Sequence, residues 1–272
     1  MGKWTDKVVV VTGASSGIGA ACVKAFAAEG ATVVLAARST DKMKSIAQQL
    51  PTDHLCVATD VAKEADCKNL IDQTIDRFGR LDVLINNAGI SMRAMFNEVE
   101  LSVLKQVMDI NFWGTVYCTK YALPHLLKTK GSVVGVSSIA GYRGLPARTG
   151  YSSSKFAMQG FLESIRTEHL KDGLHVLVAC PGFTASNIRN TALSADGAQQ
   201  QESPLKEEKL MTAAEVANHI VRATGQRKRT LILTRQGKLT VFFNKWLPAW
   251  MDTMVYNHFA KEPDSPLNPK NK

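Results

Sequence analysis

The sequence contains no C-x-x-C pair. Its five cysteines, Cys22, Cys56, Cys67, Cys118 and Cys180, are scattered and odd in number. That excludes a disulfide framework, argues against a thiolate zinc site and fits buried thiols in a reducing compartment. No metal is expected. Long apolar runs are missing too. The longest near the N-terminus, Val8 to Val11, is far shorter than the apolar part of a signal sequence or the roughly 20 residues of a membrane span. Position 6 is Asp, where an N-myristoylation signal needs Ser or Thr. There is no N-x-S/T acceptor and no internal repeat. These absences lead to the expectation of a cytoplasmic chain.

What is present is ordinary in bulk. With 272 residues, 45% hydrophobic and 21% charged, the chain has enough apolar material for one large α/β domain and is not of disordered composition. The net charge of +9 is unevenly placed: Arg222 to Lys245 holds seven basic residues and no acid. A solvated face accounts for such a block, and no recognition motif accompanies it, so nucleic acid is not an expected partner.

Strand and helix patterns alternate along the chain. Lys7 to Val11 reads as a buried strand, feeding Thr12-Gly-Ala-Ser-Ser-Gly-Ile-Gly19 and then an amphipathic helix. A glycine-rich turn in that context suits a pyrophosphate at a helix N-terminus. Gly13 permits the turn, and Gly17 and Gly19 allow close backbone approach and helix packing; Ser15, Ser16 and Ile18 belong to the same loop. The second strand, Thr32 to Ala36, is followed by Ala37, Arg38 and Ser39. No carboxylate stands where one would bond an NAD ribose, and Arg38 offers a guanidinium for a 2′-phosphate. NADP(H) is therefore expected over NAD(H); a merely solvent-facing Arg is the alternative, and the missing acid weakens it. The third strand ends at Asp60-Val61, where Asp60 suits either adenine recognition or a helix cap. The fourth, Leu81 to Ile85, ends in Asn86-Asn87-Ala88-Gly89, which suits a cofactor's passage or a simple turn. Asn111 falls inside a helical stretch from Glu98 to Lys128, read as one long or two abutting helices, where Asn is mildly unfavourable.

Gly131 to Lys155 concentrates the chemistry. A strand leads to Ser137-Ser138, and Tyr151 and Lys155 follow at i and i+4, on one helix face. An ammonium beside a phenol favours the phenolate, so Tyr151 becomes able to exchange a proton with a substrate oxygen that Ser138 also reaches. Alone, Y-x-x-x-K is a weak signal.

In combination, TGxxxGIG (Thr12 to Gly19), NNAG (Asn86 to Gly89), Asn111, Ser138 with Tyr151 and Lys155, and Pro181-Gly182 resemble a short-chain dehydrogenase/reductase over roughly residues 5 to 235. The later part is similar to the branch of hydroxysteroid dehydrogenases and member-seven dehydrogenase/reductases. The resemblance implies a single Rossmann-type doubly wound parallel sheet of seven strands, with helices on both faces and here a C-terminal helical extension. It implies Tyr151 as acid/base, Lys155 lowering its pKa and holding the nicotinamide ribose, Ser138 orienting substrate and Asn111 placing a water. It adds Val61, Phe183 and Thr184 to the expected cofactor contacts, with Ser186 where the family usually has Thr. A homodimer or homotetramer is expected. The rival is a catalytically inactive scaffold or sensor of the same fold, which the four intact residues disfavour.

Domain 1–236 is expected to bind cofactor and catalyse, with a lid at about 185–210. Met92, Met95, Leu145, Phe183, Asn187, Ile188 and Leu193 are candidate liners of a pocket for a lipophilic carbonyl or alcohol, or else ordinary packing. Residues 237–260 carry apolar side chains at spacings of three and four, interrupted by Pro248. Three readings compete: packing on the domain or a partner subunit, capping the substrate pocket, or peripheral contact with a membrane interface. Residues 261–272 read as a flexible tail.

Overall fold

The computed structural model describes residues 2–182, 184, 188–200, 210–262 and 264–268. Its centre is one parallel sheet of strands β1 (Val8–Thr12), β2 (Thr32–Ala37), β3 (His54–Ala58), β4 (Val83–Asn86), β5 (Ser132–Val136), β6 (His175–Cys180) and β7 (Thr230–Ile232). Around it lie helices α1 (Gly17–Ala28), α2 (Thr40–Ala47), α3 (Glu64–Phe78), α4 (Leu101–Met108), α5 (Gly114–Thr129), α6 (Thr149–Glu168), α7 (Ala213–Gly225), α8 (Arg235–Trp246) and α9 (Pro248–Ala260). The spatial order is β3-β2-β1-β4-β5-β6-β7. The chain moves outward from β1 to β3, returns to place β4 beside β1, and then builds in the other direction. The strand order therefore reverses between β1 and β4, and the crevice beyond those strand ends is where such sheets bind ligands.

The valine run of β1 has no polar alternation because both its faces are covered. Val9 and Val11 join Val33, Leu35, Val83 and Ile85 beneath α1 and α7, whereas Val8, Val10, Val34 and Leu84 face Leu70, Leu126, Met158 and Leu162 of α3, α5 and α6. Each such buried aliphatic side chain contributes about 1.5–3 kcal/mol relative to exposure. β4 starts two residues later than its apolar run, because Arg80 and Asp82 are used in a polar junction. Arg80 donates to the Asp82 carboxylate at 2.8 and 2.7 Å, and the Val8 amide donates to the same group at 3.0 Å. Thr212 and Glu215 close a reciprocal capping box at the start of α7.

The stretch expected as one long or two abutting helices is α4 and α5 joined through a π-helical turn, Asp109–Trp113, with Asn111 inside it. Such an insertion re-aims one side chain without ending the helix.

The C-terminal extension is a helical hairpin broken at Leu247, which leaves helical geometry so that Pro248 can occupy the first position of α9. Met251, Val255 and Phe259, at helical spacing, are buried with Leu145, Phe243 and Leu267. Polar anchors reinforce the contact: Asn244 Nδ2 donates to the Tyr142 carbonyl at 2.9 Å, and Arg143 pairs with Asp252. The hairpin thus packs on its own domain. The expectation of a flexible tail from residue 261 is corrected for its described part. Glu262 is buried in an ion pair, and Ser265, 1% exposed, donates to the Phe259 carbonyl at 2.7 Å. A composition rich in Pro and charge did not reveal the partner of Glu262, 114 residues back in the chain.

Candidate active site

A groove of about 400 Å³ runs along the C-terminal ends of β1 to β4. The first loop lines it with Gly13, Ser15, Ser16, Gly17 and Ile18. Arg38 and Ser39 line it beyond β2, Asp60 and Val61 beyond β3, and Asn87, Ala88 and Gly89 beyond β4. Gly13 is required for two reasons: its φ is +66°, and an added Cβ would stand 2.9 Å from Ala88 Cα. Gly19 does not line the groove. Its added Cβ would stand 2.3 Å from the Gly13 carbonyl oxygen, so its role is to let α1 close against the loop.

Asn-Asn-Ala-Gly lines the groove and is held in place by hydrogen bonds to the end of β1. Asn87 Nδ2 donates to the Thr12 carbonyl at 2.9 Å, and the Asn87 and Ala88 amides donate to the Thr12 hydroxyl at 3.0 and 3.1 Å. The segment fastens two loops together while facing the groove. Asp60 uses Oδ1 to accept from the Ala62 amide at 3.2 Å, a local turn rather than the cap of α3. Lys42, unremarked in the sequence, lines the groove with Arg38; its four-residue spacing from Arg38 is the available signal.

Beyond the groove lies a cavity of about 150 Å³ that contains Ser138, Tyr151, Lys155, Pro181, Gly182 and Thr184. The strand–turn–helix order of β5 and α6 brings Ser138 and Tyr151 to the wall of the same cavity. Ser138 Oγ also accepts from the Ala140 amide at 3.2 Å, which fixes its rotamer. Burial pushes the Tyr151 phenol above its ordinary pKa; the Ser138 hydroxyl and the charges of Arg148 and Arg189 work in the opposite direction. Lys155 is 3% exposed, and burial holds its ammonium down to about 8. Its Nζ donates to the Val136 carbonyl at 2.9 Å and lies 5.8 Å from the Tyr151 ring centre. One of the three ammonium donors thus satisfies the group's burial on a backbone carbonyl, while its charge stands beside the Tyr151 ring.

Asn111 is fully buried. Its Oδ1 accepts from the Ile90 amide at 2.8 Å, and its Nδ2 donates to the Ile90 carbonyl and the Ser154 hydroxyl, each at 2.9 Å. The π-helical turn thus makes Asn111 a bridge between the loop after β4 and the helix that carries Tyr151.

Residues 7–197 match the family model described as short chain dehydrogenase. The chain is 33% identical over 270 residues to "11-beta-hydroxysteroid dehydrogenase A" of Sesamum indicum, covering 96% of this chain and 77% of that protein. It is 36% identical over 237 residues to "Dehydrogenase/reductase SDR family member 7B" of Mus musculus, covering 84% and 73%. Among solved structures it resembles an alcohol dehydrogenase from the archaeon Thermococcus sibiricus complexed with 5-hydroxy-NADP. That match has a TM-score of 0.74 and 26% identity, and covers 84% of this chain and 95% of the other. A short-chain dehydrogenase from Streptomyces avermitilis matches with a TM-score of 0.80 and 25% identity, covering 94% and 98%. The chain belongs to the short-chain dehydrogenase family. As a member it is an oxidoreductase of alcohols and carbonyls. Its groove fits a nicotinamide nucleotide: the left-handed Gly13 and the close approach of Ala88 leave a cradle that any side chain at position 13 would fill.

On the other side of Ser138, this short-chain dehydrogenase has a pocket lined by elements far apart in the chain. An apolar pocket of about 460 Å³ extends from Ser138 to the underside of the C-terminal hairpin, where Phe243, Trp250, Met251 and Phe259 line it. Of the three readings of the extension, the structure shows packing on its own domain, with the underside of the hairpin lining this pocket. Leu145 and Ile188 line the catalytic cavity. Leu193 faces the nucleotide groove, and Met92, wholly buried, pairs with it in a short bridge. Met95 is absent from the described pocket linings. Met92 and Met95 were plausible from apolar character alone, which does not distinguish a pocket wall from packing. Phe183, Ser186 and Asn187 lie outside the described residues, as does much of the expected lid. Phe259 of the apolar stripe also lines the catalytic cavity, as do Arg148, Arg189 and Glu262, which were not among the expected liners.

Proposed function

We propose that this protein is an NADP(H)-dependent oxidoreductase that interconverts a carbonyl and an alcohol on a lipophilic small molecule. The observation that carries the reading is the apolar pocket opening onto Ser138, beside the phenol of Tyr151. When bound, the nicotinamide supplies the hydride acceptor or donor. The residues of this chain do the rest. Ser138 orients the substrate oxygen, and Tyr151 gives or takes the proton at that oxygen through its hydroxyl. Lys155 holds the floor of the cavity through Val136, and the hairpin excludes water from the apolar side. Arg38 and Lys42 favour a 2′-phosphate at the end of the groove. Tyr151→Phe is expected to lower turnover of lipophilic ketones by about 10²–10⁴-fold while leaving NADPH binding intact. Retained turnover would remove Tyr151 from the chemistry.

The hairpin also supports peripheral contact with an anionic membrane surface. Its outer face exposes Phe242, Trp246, Leu247 and Trp250 beside Arg235, Lys238 and Lys245. Leu239, Trp250 and Met254 are both exposed and part of the pocket lining, so a lipophilic substrate has an apolar route inward. No helix among the described residues is long and apolar enough to cross a membrane. Full-length protein is expected to float with phosphatidylserine-containing vesicles, and Trp246→Glu to float less. Absence of flotation at low salt would refute the contact.

A further inference from the structure

Carbonyl chemistry on a neutral substrate has no use for the charge pattern beside Tyr151. Glu262, just beyond α9, lines the catalytic cavity with its side chain only 5% exposed. Arg148 Nη2 donates to its two carboxylate oxygens at 3.0 and 2.8 Å, and Arg93 Nη2 lies 3.5 Å from one of them. The Arg148 guanidinium is stacked 4.5 Å from the Phe259 ring centre. Both arginine side chains are nearly buried, at 10% and 13% exposure. Arg189, whose Nη2 donates to the Thr184 carbonyl at 2.9 Å, lines the same cavity, and the exposed Asp264 acts on Arg93 from outside.

Two neighbouring guanidinium groups taken out of water need a carboxylate between them. Their planar donors are suited to that group more than to any other common anion except phosphate. Here the carboxylate comes from the chain itself, 114 residues away from Arg148. Being tethered, it holds a high effective concentration at the site, and a free carboxylate of equal intrinsic affinity is outcompeted.

We propose that Arg93 and Arg148 form a carboxylate-binding subsite next to Tyr151, occupied by Glu262 as a built-in ligand, and that Glu262 is the residue that confines the cavity to uncharged carbonyl and alcohol substrates. The subsite stands on its geometry alone; the substrate restriction rests on the function proposed above.

The test is calorimetric titration of the full-length protein with benzoate, with benzamide as the neutral control. Glu262→Gln is expected to bind benzoate roughly 10- to 100-fold more tightly than the unmodified protein, the span of one or two charge-assisted hydrogen bonds. Benzamide affinity should not change, and adding Arg148→Met to Glu262→Gln should abolish the gain. Equal benzoate affinity in Glu262→Gln and the unmodified protein would overturn the proposal. Should Glu262→Gln not fold alone, refolding with benzoate and not with benzamide is the expected result, and failure of that rescue contradicts it. A second arm compares NADPH-dependent reduction of benzaldehyde and 4-carboxybenzaldehyde. The ratio is expected to move toward the carboxylated aldehyde in Glu262→Gln by a similar factor. An unmodified protein that reduces neither aldehyde counts against the proposed function, while the benzoate titration still decides the subsite.

Discussion

The groove along the first four strands and the apolar pocket under the hairpin flank the cavity that holds Tyr151, yet they are encoded in different ways. The groove along β1 to β4 is made of backbone: short loops whose glycines and small residues permit close approach, fastened by hydrogen bonds from Asn87 to Thr12. The pocket beyond Ser138 is made largely of side chains from a hairpin that lies about 100 residues further along the chain. The first side needs particular residues at fixed spacing. The second needs only apolar volume and a few polar anchors, so it is free to change with the substrate.

The sharpest break of this comparison is steric. Gly19→Val would drive a side chain into the Gly13 carbonyl, a contact already too close for one methyl group. It should cost about 1–3 kcal/mol or more by urea denaturation and remove NADPH binding. Full stability with tight binding would show that the loop is not the rigid backbone cradle described. A smaller effect is expected from Arg38→Asp, which should reverse or erase the preference for NADPH over NADH by roughly 10- to 100-fold, measured as paired affinities. An unchanged ratio would take the 2′-phosphate away from Arg38.

The smallest effect serves as a control that should spare both sides. His175, on β6 far from the groove, is buried. Its Nε2 faces the Lys228 carbonyl at 2.8 Å and must donate, so Nδ1 accepts from the Ser132 hydroxyl at 2.9 Å. Burial lowers its pKa below the ordinary 6.5. On acidification through 6.5 the unfolded chain takes up a proton that the folded one refuses, so stability falls from there down to the lowered native value. His175→Asn should flatten that part of the stability–pH curve without altering NADPH affinity. An identical curve would mean that other groups carry the acid sensitivity.

The sheet was legible because strands buried on both faces read as near-continuous apolar runs, as at Val8 to Val11. The glycine loop, Ser138, Tyr151 and Lys155 were legible because their spacing is set by strand–turn–helix geometry. Positions such as Met92 were not, since full burial and pocket lining look alike in sequence. The hydrogen bond from Lys155 to the backbone carbonyl of Val136 was hidden too, since no side-chain pattern announces it. Glu262 was the least visible. Its partners Arg93 and Arg148 lie far back in the chain, and nothing local distinguishes it from the other charges of a polar terminus.

The most direct test of the central claim is NADPH consumption by the full-length protein against a series of ketones of increasing apolar size, run in parallel with Tyr151→Phe. The account predicts that efficiency rises with apolar size until the pocket of about 460 Å³ is filled, and that Tyr151→Phe binds NADPH but turns over none of the series appreciably. NADPH binding without consumption of any ketone, by either protein, would contradict it and leave a nucleotide-binding fold without the chemistry.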